Sequence, residues 1–455
     1  MTAARAGMNF LPLIEAKRDG RLLTAAQIQE LVASYVAGQI PDYQMSAFLM
    51  AVYFKGMTFE ETTAFIADAD ANKRTKLIDR LLGLTGDPML DIYNDAYSAY
   101  WSLKWSDLIR NSSRELGDQG MWALHNWLRE SFRTNKPFDE FVRELVTAKG
   151  SIFSNGPANY YRIANNPPDL AETTSQLFLG IRLQCAKCHH HPFDRWSQDD
   201  YFGMQAFFVP LTFKNTPRGE MLLATRNDVT RHPRSGVSIF AHPLATPMPA
   251  ANPEGDRRRV LSDWLVAANN PFFARNIANR TWAHFTGRGV IEPVDDVRST
   301  NPPSNPELLD ALANELTSSK FDIRQLMRFI TASRTYQAST SVNPSNQNDE
   351  QNYSRGLLRR LDAEVLLDAI CDATGVPEKF DGVPAGSRAV QLWDSQVTNY
   401  FLTTTGRPIR TTVCECERVS SPTVAQVLHT LNSPNLESKF GHDAGRIVRL
   451  LRDHP

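Results

Sequence analysis

The stretch Thr24-Ala25-Ala26-Gln27-Ile28-Gln29-Glu30-Leu31-Val32-Ala33-Ser34-Tyr35-Val36-Ala37 carries the period that sets the fold class. Ile28, Leu31, Val32, Tyr35 and Val36 fall at i, i+3, i+4, i+7 and i+8, a single apolar face of an α-helix. Thr24 and Gln27 have capping-box spacing, at which each side chain can satisfy a free N–H at the helix start. Working outward, the pattern predicts helices over residues 10–18 and 42–55, with Thr58 and Glu61 as a second capping box. Gly20, Gly38 and Gly56 stand where these helices end. Farther on, Phe138, Phe141, Val142 and Leu145 share one helical face, residues 170–183 form one helix, and Asp199-Asp200-Tyr201-Phe202 opens another. Trp101, Trp105, Trp122 and Trp127 suit packing between helices. Residues 213–256, rich in Pro, Gly, Asn and Thr and weakly periodic, predict a linker with one short strand at 237–240. Together these patterns predict a mainly α, multi-domain helical protein with long irregular loops.

A chain of 455 residues can build two or three domains with cores of their own. Its 49 basic residues nearly cancel its 50 acidic ones, so no charge excess points to nucleic acid or to an anionic membrane surface. No apolar run approaches the ~18–20 residues that span a bilayer. Residues 1–10 lack the basic-then-apolar layout of an export signal. Five cysteines, an odd number, argue against a disulfide-stapled secreted scaffold. As the chain stands, the expectation is a cytoplasmic protein with no nucleic-acid and no membrane partner.

Chemistry concentrates in Leu183-Gln184-Cys185-Ala186-Lys187-Cys188-His189-His190-His191-Pro192-Phe193. Cys-x-x-Cys-His is the spacing at which two thiols can join the vinyl groups of a haem while the next residue ligates the iron. On that reading Cys185 and Cys188 anchor haem c and His189 is the proximal ligand, with Met204, His190 or His191 as distal candidates. Alternatively, Cys185 and Cys188 join Cys414 and Cys416 in a four-sulfur site for zinc or iron. The third alternative is loop thiols or a disulfide, with the histidines paired to backbone or water. His284 is expected to be a packing histidine. The Asp295–Asp296 carboxylate pair, with Arg298 following, suits cation binding or acid/base work, though a solvated loop or a buried ion-pair network is the favoured reading, and Arg359 and Arg360 with Glu364 suit helix-face pairing. No Ser-His-Asp or Cys-His constellation defines a hydrolase. A metal-dependent enzyme of unknown substrate and a non-catalytic interaction protein stand as the other function classes.

Longer words carry resemblances. Leu13-Ile14-Glu15-Ala16-Lys17-Arg18-Asp19-Gly20, residues 35–51 and Tyr53-Phe54-Lys55-Gly56-Met57-Thr58 resemble the N-terminal helical domain of thymidine and pyrimidine-nucleoside phosphorylases, of glycosyltransferase family 3. The resemblance covers residues 8–62 and implies a homodimer through these helices. The family's Lys-His-Ser-Thr-Gly-Gly-type phosphate loop does not follow, so no catalytic residue carries over and phosphorolysis is not expected.

From Thr63-Ala64-Phe65-Ile66-Ala67-Asp68 onward the vocabulary changes. Trp127-Leu128-Arg129, Asn135-Lys136-Pro137-Phe138-Asp139-Glu140-Phe141-Val142 and the Cys185–His189 motif resemble a planctomycete cytochrome C-like domain of unknown function. Asn269-Asn270-Pro271-Phe272-Phe273-Ala274-Arg275, Asn279-Arg280-Thr281-Trp282-Ala283-His284-Phe285 and Cys414-Glu415-Cys416-Glu417-Arg418 resemble its C-terminal companion domain. This resemblance implies relatives that are typically exported. The expected organisation is a phosphorylase-like domain over 1–62, a cytochrome C-like domain over 63–212, a linker over 213–256 and the companion domain over 257–455.

Overall fold

The computed structural model describes residues 10–453 apart from 38, 67–71, 218, 225–228, 252–253 and 420. Half of it is helix, in 20 α-helices, against 5% strand among the described residues, so the protein is mainly α and multi-domain. The chain divides into two compact units, Met1–Ile78 and Asp79–Pro455.

The first unit contains the helices Leu11–Arg18, Ala25–Val36, Asp42–Lys55 and Phe59–Ile66. The first three lie within a residue of the spans their periodicity predicts. Both capping boxes form. Thr24 N–H donates to Gln27 Oε1 at 2.9 Å and Thr58 N–H to Glu61 Oε2 at 2.8 Å, with the return bonds to the threonine hydroxyls at 3.3 and 3.2 Å. Gly20 and Gly56 take positive φ (81° and 71°) at helix ends, whereas Gly38 lies outside the described residues. Leu13, Ile28, Leu31, Met45, Phe48 and Ala64 form the core. Beside it Lys17 and Glu61 make a fully buried ion pair at 2.8 Å, and Glu61 also accepts the Leu23 N–H at 2.8 Å. A capping glutamate thus doubles as an internal counter-ion, which is why its buried charge is tolerated. The domain boundary expected at residue 62 falls inside the Phe59–Ile66 helix.

The second unit is built on one large core. The helix Phe138–Val146 buries Phe138, Phe141, Val142 and Leu145 as its period requires. Trp105 packs on Phe138 and Phe141 with ring centroids 5.1 and 5.5 Å apart, and Trp127 stacks on Phe141 at 4.6 Å. Trp105 and Trp127 are therefore packing residues, whereas Trp122 is 37% exposed. His284, on the helix Phe273–Thr286, lies against the Trp101 ring at 4.8 Å and the Tyr100 ring at 5.6 Å. Burial, aided by the nearby Lys104 charge, pushes its pKa down to about 3 and keeps the imidazole neutral, in keeping with a packing role.

Two expectations need correction. The segment taken as a linker holds ordered strands: β2 (Leu211–Thr216) and β3 (Gly219–Ala224) form an antiparallel hairpin that β1 (Gly150–Ser151) extends in the order β1-β3-β2. A second antiparallel pair joins β4 (Thr230–Arg231) to β5 (Ser238–Ile239), the strand expected near 237–240. Leu222, Ile239, Ala241 and Leu244 from this segment sit in the main core. Few apolar residues anchor it, and they are irregularly spaced, so they leave no period to detect. The helix expected over 170–183 is instead Pro167–Leu179. Gly180 stops it in the left-handed conformation (φ 71°), and a Cβ there would meet Asn276 Oδ1 and Val297 Cγ2 at 2.7 Å.

Candidate functional site

After Gly180 the chain runs through buried Ile181 and Leu183 into a short 3-10 turn, Gln184–Lys187. Ala186 points into the core at 0% exposure, so its neighbours Cys185 and Cys188 are turned outward, and both are exposed free thiols. The turn is held from below. Gln198 Nε2 donates to the Lys187 carbonyl at 3.1 Å, Arg234 Nη2 to the Cys188 carbonyl at 3.2 Å, and the His191 N–H to the Trp196 carbonyl at 2.8 Å. The helix Gln198–Gln205, which supplies Gln198, starts with a Ser197–Asp200 capping box.

The two flanking imidazoles differ in their usable nitrogen. His189 Nδ1 lies 2.6 Å from the His190 carbonyl, which can only accept, so Nδ1 carries the proton and Nε2 keeps its lone pair. His191 Nδ1 instead accepts the Phe193 N–H at 3.3 Å, which places its proton on Nε2. His189 is thus set up as a nitrogen ligand and His191 is not. Met204 is fully buried in the core, whereas the thiols are exposed.

Sequence patterns missed two groups beneath the turn. Tyr201 donates to Glu172 Oε1 at 2.7 Å. Burial first, then this carboxylate and the neighbouring Cys188, raise the phenol's pKa. Glu172 and Tyr201 stand on different helices, and nothing in their local spacing predicts that they meet.

The four-sulfur site does not assemble. Cys414 and Cys416 are bonded to each other in a disulfide, and among the described residues no three His, Cys, Asp or Glu side chains converge on a point that could hold a metal ion. The Cys414 loop is held by ion pairs of its own. Glu415 pairs with buried Arg280 at 2.6 Å, and Arg418 pairs with Asp107 and Glu364, each at 2.6 Å.

Asp295 is buried between Arg182 (2.6 Å) and Gln176 (2.5 Å), and Asp296 pairs with Arg298 at 3.3 Å, so this carboxylate pair is an ion-pair network. Arg359 and Arg360 precede the Ala363–Thr374 helix and do not pair along it. Arg359 caps the His284 and Phe285 carbonyls, and Arg360 binds the Thr405 and Val419 carbonyls.

Three segments match known family models. Residues 257–450 match a protein of unknown function (DUF1553), residues 55–212 a second protein of unknown function (DUF1549), and residues 11–68 the helical bundle domain of the glycosyl transferase family. The last two overlap across the Phe59–Ile66 helix. The chain is similar to pyrimidine-nucleoside phosphorylases of Geobacillus stearothermophilus, 54% identical over 55 residues, and of Staphylococcus aureus (strain USA300), 46% identical over 57 residues. Each match covers 12% of this chain and only 13% of the relative's length. No solved structure matches the chain.

Proposed function

We propose that the Cys185–His189 turn is an attachment site for haem c, with Cys185 and Cys188 as thioether anchors, His189 as the axial ligand, and electron transfer as the outcome. One observation carries this reading: two outward-facing thiols beside an imidazole whose Nε2 is left free by the Nδ1 hydrogen bond to the His190 carbonyl. Zinc in a closed site needs four protein ligands, and among the described residues no three His, Cys, Asp or Glu side chains come together to hold a metal ion. Haem asks less of the chain, because the macrocycle brings its own four nitrogens. When bound, it supplies a one-electron redox centre. The chain's share is to present both sulfurs on one rigid turn, fix the His189 tautomer and hold the backbone through Gln198 and Arg234. Covalent attachment of haem takes place outside the cytoplasm. We therefore place the working protein there.

The test is an absorbance spectrum with intact mass and elemental analysis of the full chain, co-expressed with a haem-attachment system. The expected result is a Soret band with one covalent haem, lost in Cys185→Ala and Cys188→Ala. A colourless protein with both thiols free, or with stoichiometric zinc, would sink the reading.

We further propose that the first unit dimerises with a second copy. Its Asp42–Lys55 helix is apolar on two sides: Met45, Phe48 and Ala51 face the core, while Tyr43, Leu49, Met50, Tyr53 and Phe54 form an exposed arc.

A further inference from the structure

We propose that Cys414 and Cys416 form a redox-active disulfide that accepts two electrons from a dithiol, a site separate from the Cys185–His189 turn. A disulfide that staples a fold closes a long loop, because the loop-closure gain grows with loop length. This one spans a single intervening residue, so it adds little to folding. Its turn stays in place by other means. The Glu417 N–H donates to the Cys414 carbonyl and the Arg418 N–H to the Glu415 carbonyl, both at 3.2 Å. The Glu417 carboxylate accepts the Thr411 and Thr412 N–H groups at 3.0 Å. Glu415 is anchored on Arg280, and Arg418 on Asp107 and Glu364. Opening the S–S bond therefore leaves the backbone held for re-closure.

Access and polarity set the direction of attack. Cys416 is exposed and Cys414 is half-buried. The Cys416 N–H lies 3.1 Å from Cys414 Sγ, where it can donate to charge developing on that sulfur. A dithiol's first thiolate attacks Cys416 Sγ; the Cys414–Cys416 bond breaks, and its electron pair leaves on Cys414, which takes up a proton. The second thiolate then attacks the dithiol's own first sulfur. An internal disulfide forms in the dithiol, and Cys416 is released and protonated. Two electrons and two protons pass from the dithiol to the protein.

The experiment equilibrates the native full chain with dithiothreitol or with glutathione redox buffers, traps thiols by alkylation and maps the peptide that contains residues 411–418. The proposal expects reversible two-electron reduction with unchanged circular dichroism and a melting shift under about 3 °C. It also expects oxidised glutathione to cap Cys416 in Cys414→Ser at least about tenfold faster than Cys414 in Cys416→Ser. Reduction only after denaturant is added, loss of fold on reduction, equal capping rates, or free thiols after air oxidation would each overturn it.

Discussion

His125 on the Ser113–Arg133 helix is 4% exposed, and its Nδ1 finds no partner among the described residues. Burial first, then the Arg410 and Arg129 charges, push its pKa down to about 3. In the unfolded chain the same imidazole titrates near 6.5. Between these values the unfolded state binds a proton that the folded state refuses. Stability is therefore complete above about pH 6.5 and falls as pH drops toward 3, by about 1.4 kcal/mol per pH unit from this residue. The native protein's stability to urea should weaken steadily between pH 6 and 5, with the buried neutral His284 adding a like slope, and His125→Phe should be flatter by about 1.4 kcal/mol per pH unit. An identical slope in the variant would contradict the assignment. Spacing puts Arg129 one helical turn from His125, but nothing in Trp122-Ala123-Leu124-His125 reveals the burial of the ring or the Arg410 charge brought to it from a distant part of the chain. His189 is a different case: its candidacy is legible from Cys-x-x-Cys-His, whereas its tautomer needed the fold of the turn.

Among the elements, the Gln198–Gln205 helix shows how a legible unit takes its consequences from an illegible neighbour. Its start is plain in Asp199-Asp200-Tyr201-Phe202, yet a packing partner, His242, comes from the weakly periodic 213–256 region. A Cβ on Gly203 would lie 2.2 Å from His242 Cε1, and that ring is buried and tied through Nδ1 to the Phe240 carbonyl at 2.8 Å. Gly203→Ala should therefore cost about 2 kcal/mol in chemical denaturation, since neither the ring nor the helix can yield freely. The same helix positions Gln198 beneath the Cys185 turn, so the variant should also speed alkylation of Cys185 and Cys188 in the folded protein. Wild-type stability together with unchanged thiol reactivity would show that the contact relaxes at no cost. The glycine itself looked unremarkable in the sequence, because the clash it avoids is with a residue 39 positions away.

At the scale of the whole molecule, the exposed arc on the Asp42–Lys55 helix makes self-association testable. Sedimentation equilibrium of the full chain should give a dimer, and Tyr53→Glu with Phe54→Glu should give a folded monomer, because charges on that arc oppose burial without touching the core. A native chain that remains monomeric at high micromolar concentration would rule the dimer out. Among the described residues no helix is long and apolar enough to cross a membrane.

Sequence alone determined the helical class, the first four helix starts, the three matched segments and the Cys185–His189 motif. These are carried by short-range patterns: a 3.6-residue period, capping spacings and contiguous words. Only the tertiary structure decided that Cys414 pairs with Cys416 and not with Cys185, that Gly180 ends a helix early, and that the supposed linker is part of the core. Each of these depends on groups distant in the chain, such as Arg280 on Glu415, Asp107 and Glu364 on Arg418, or Asn276 beside Gly180. The energy of burying a charge or excluding a Cβ depends on where the rest of the chain lies, and no local pattern encodes it.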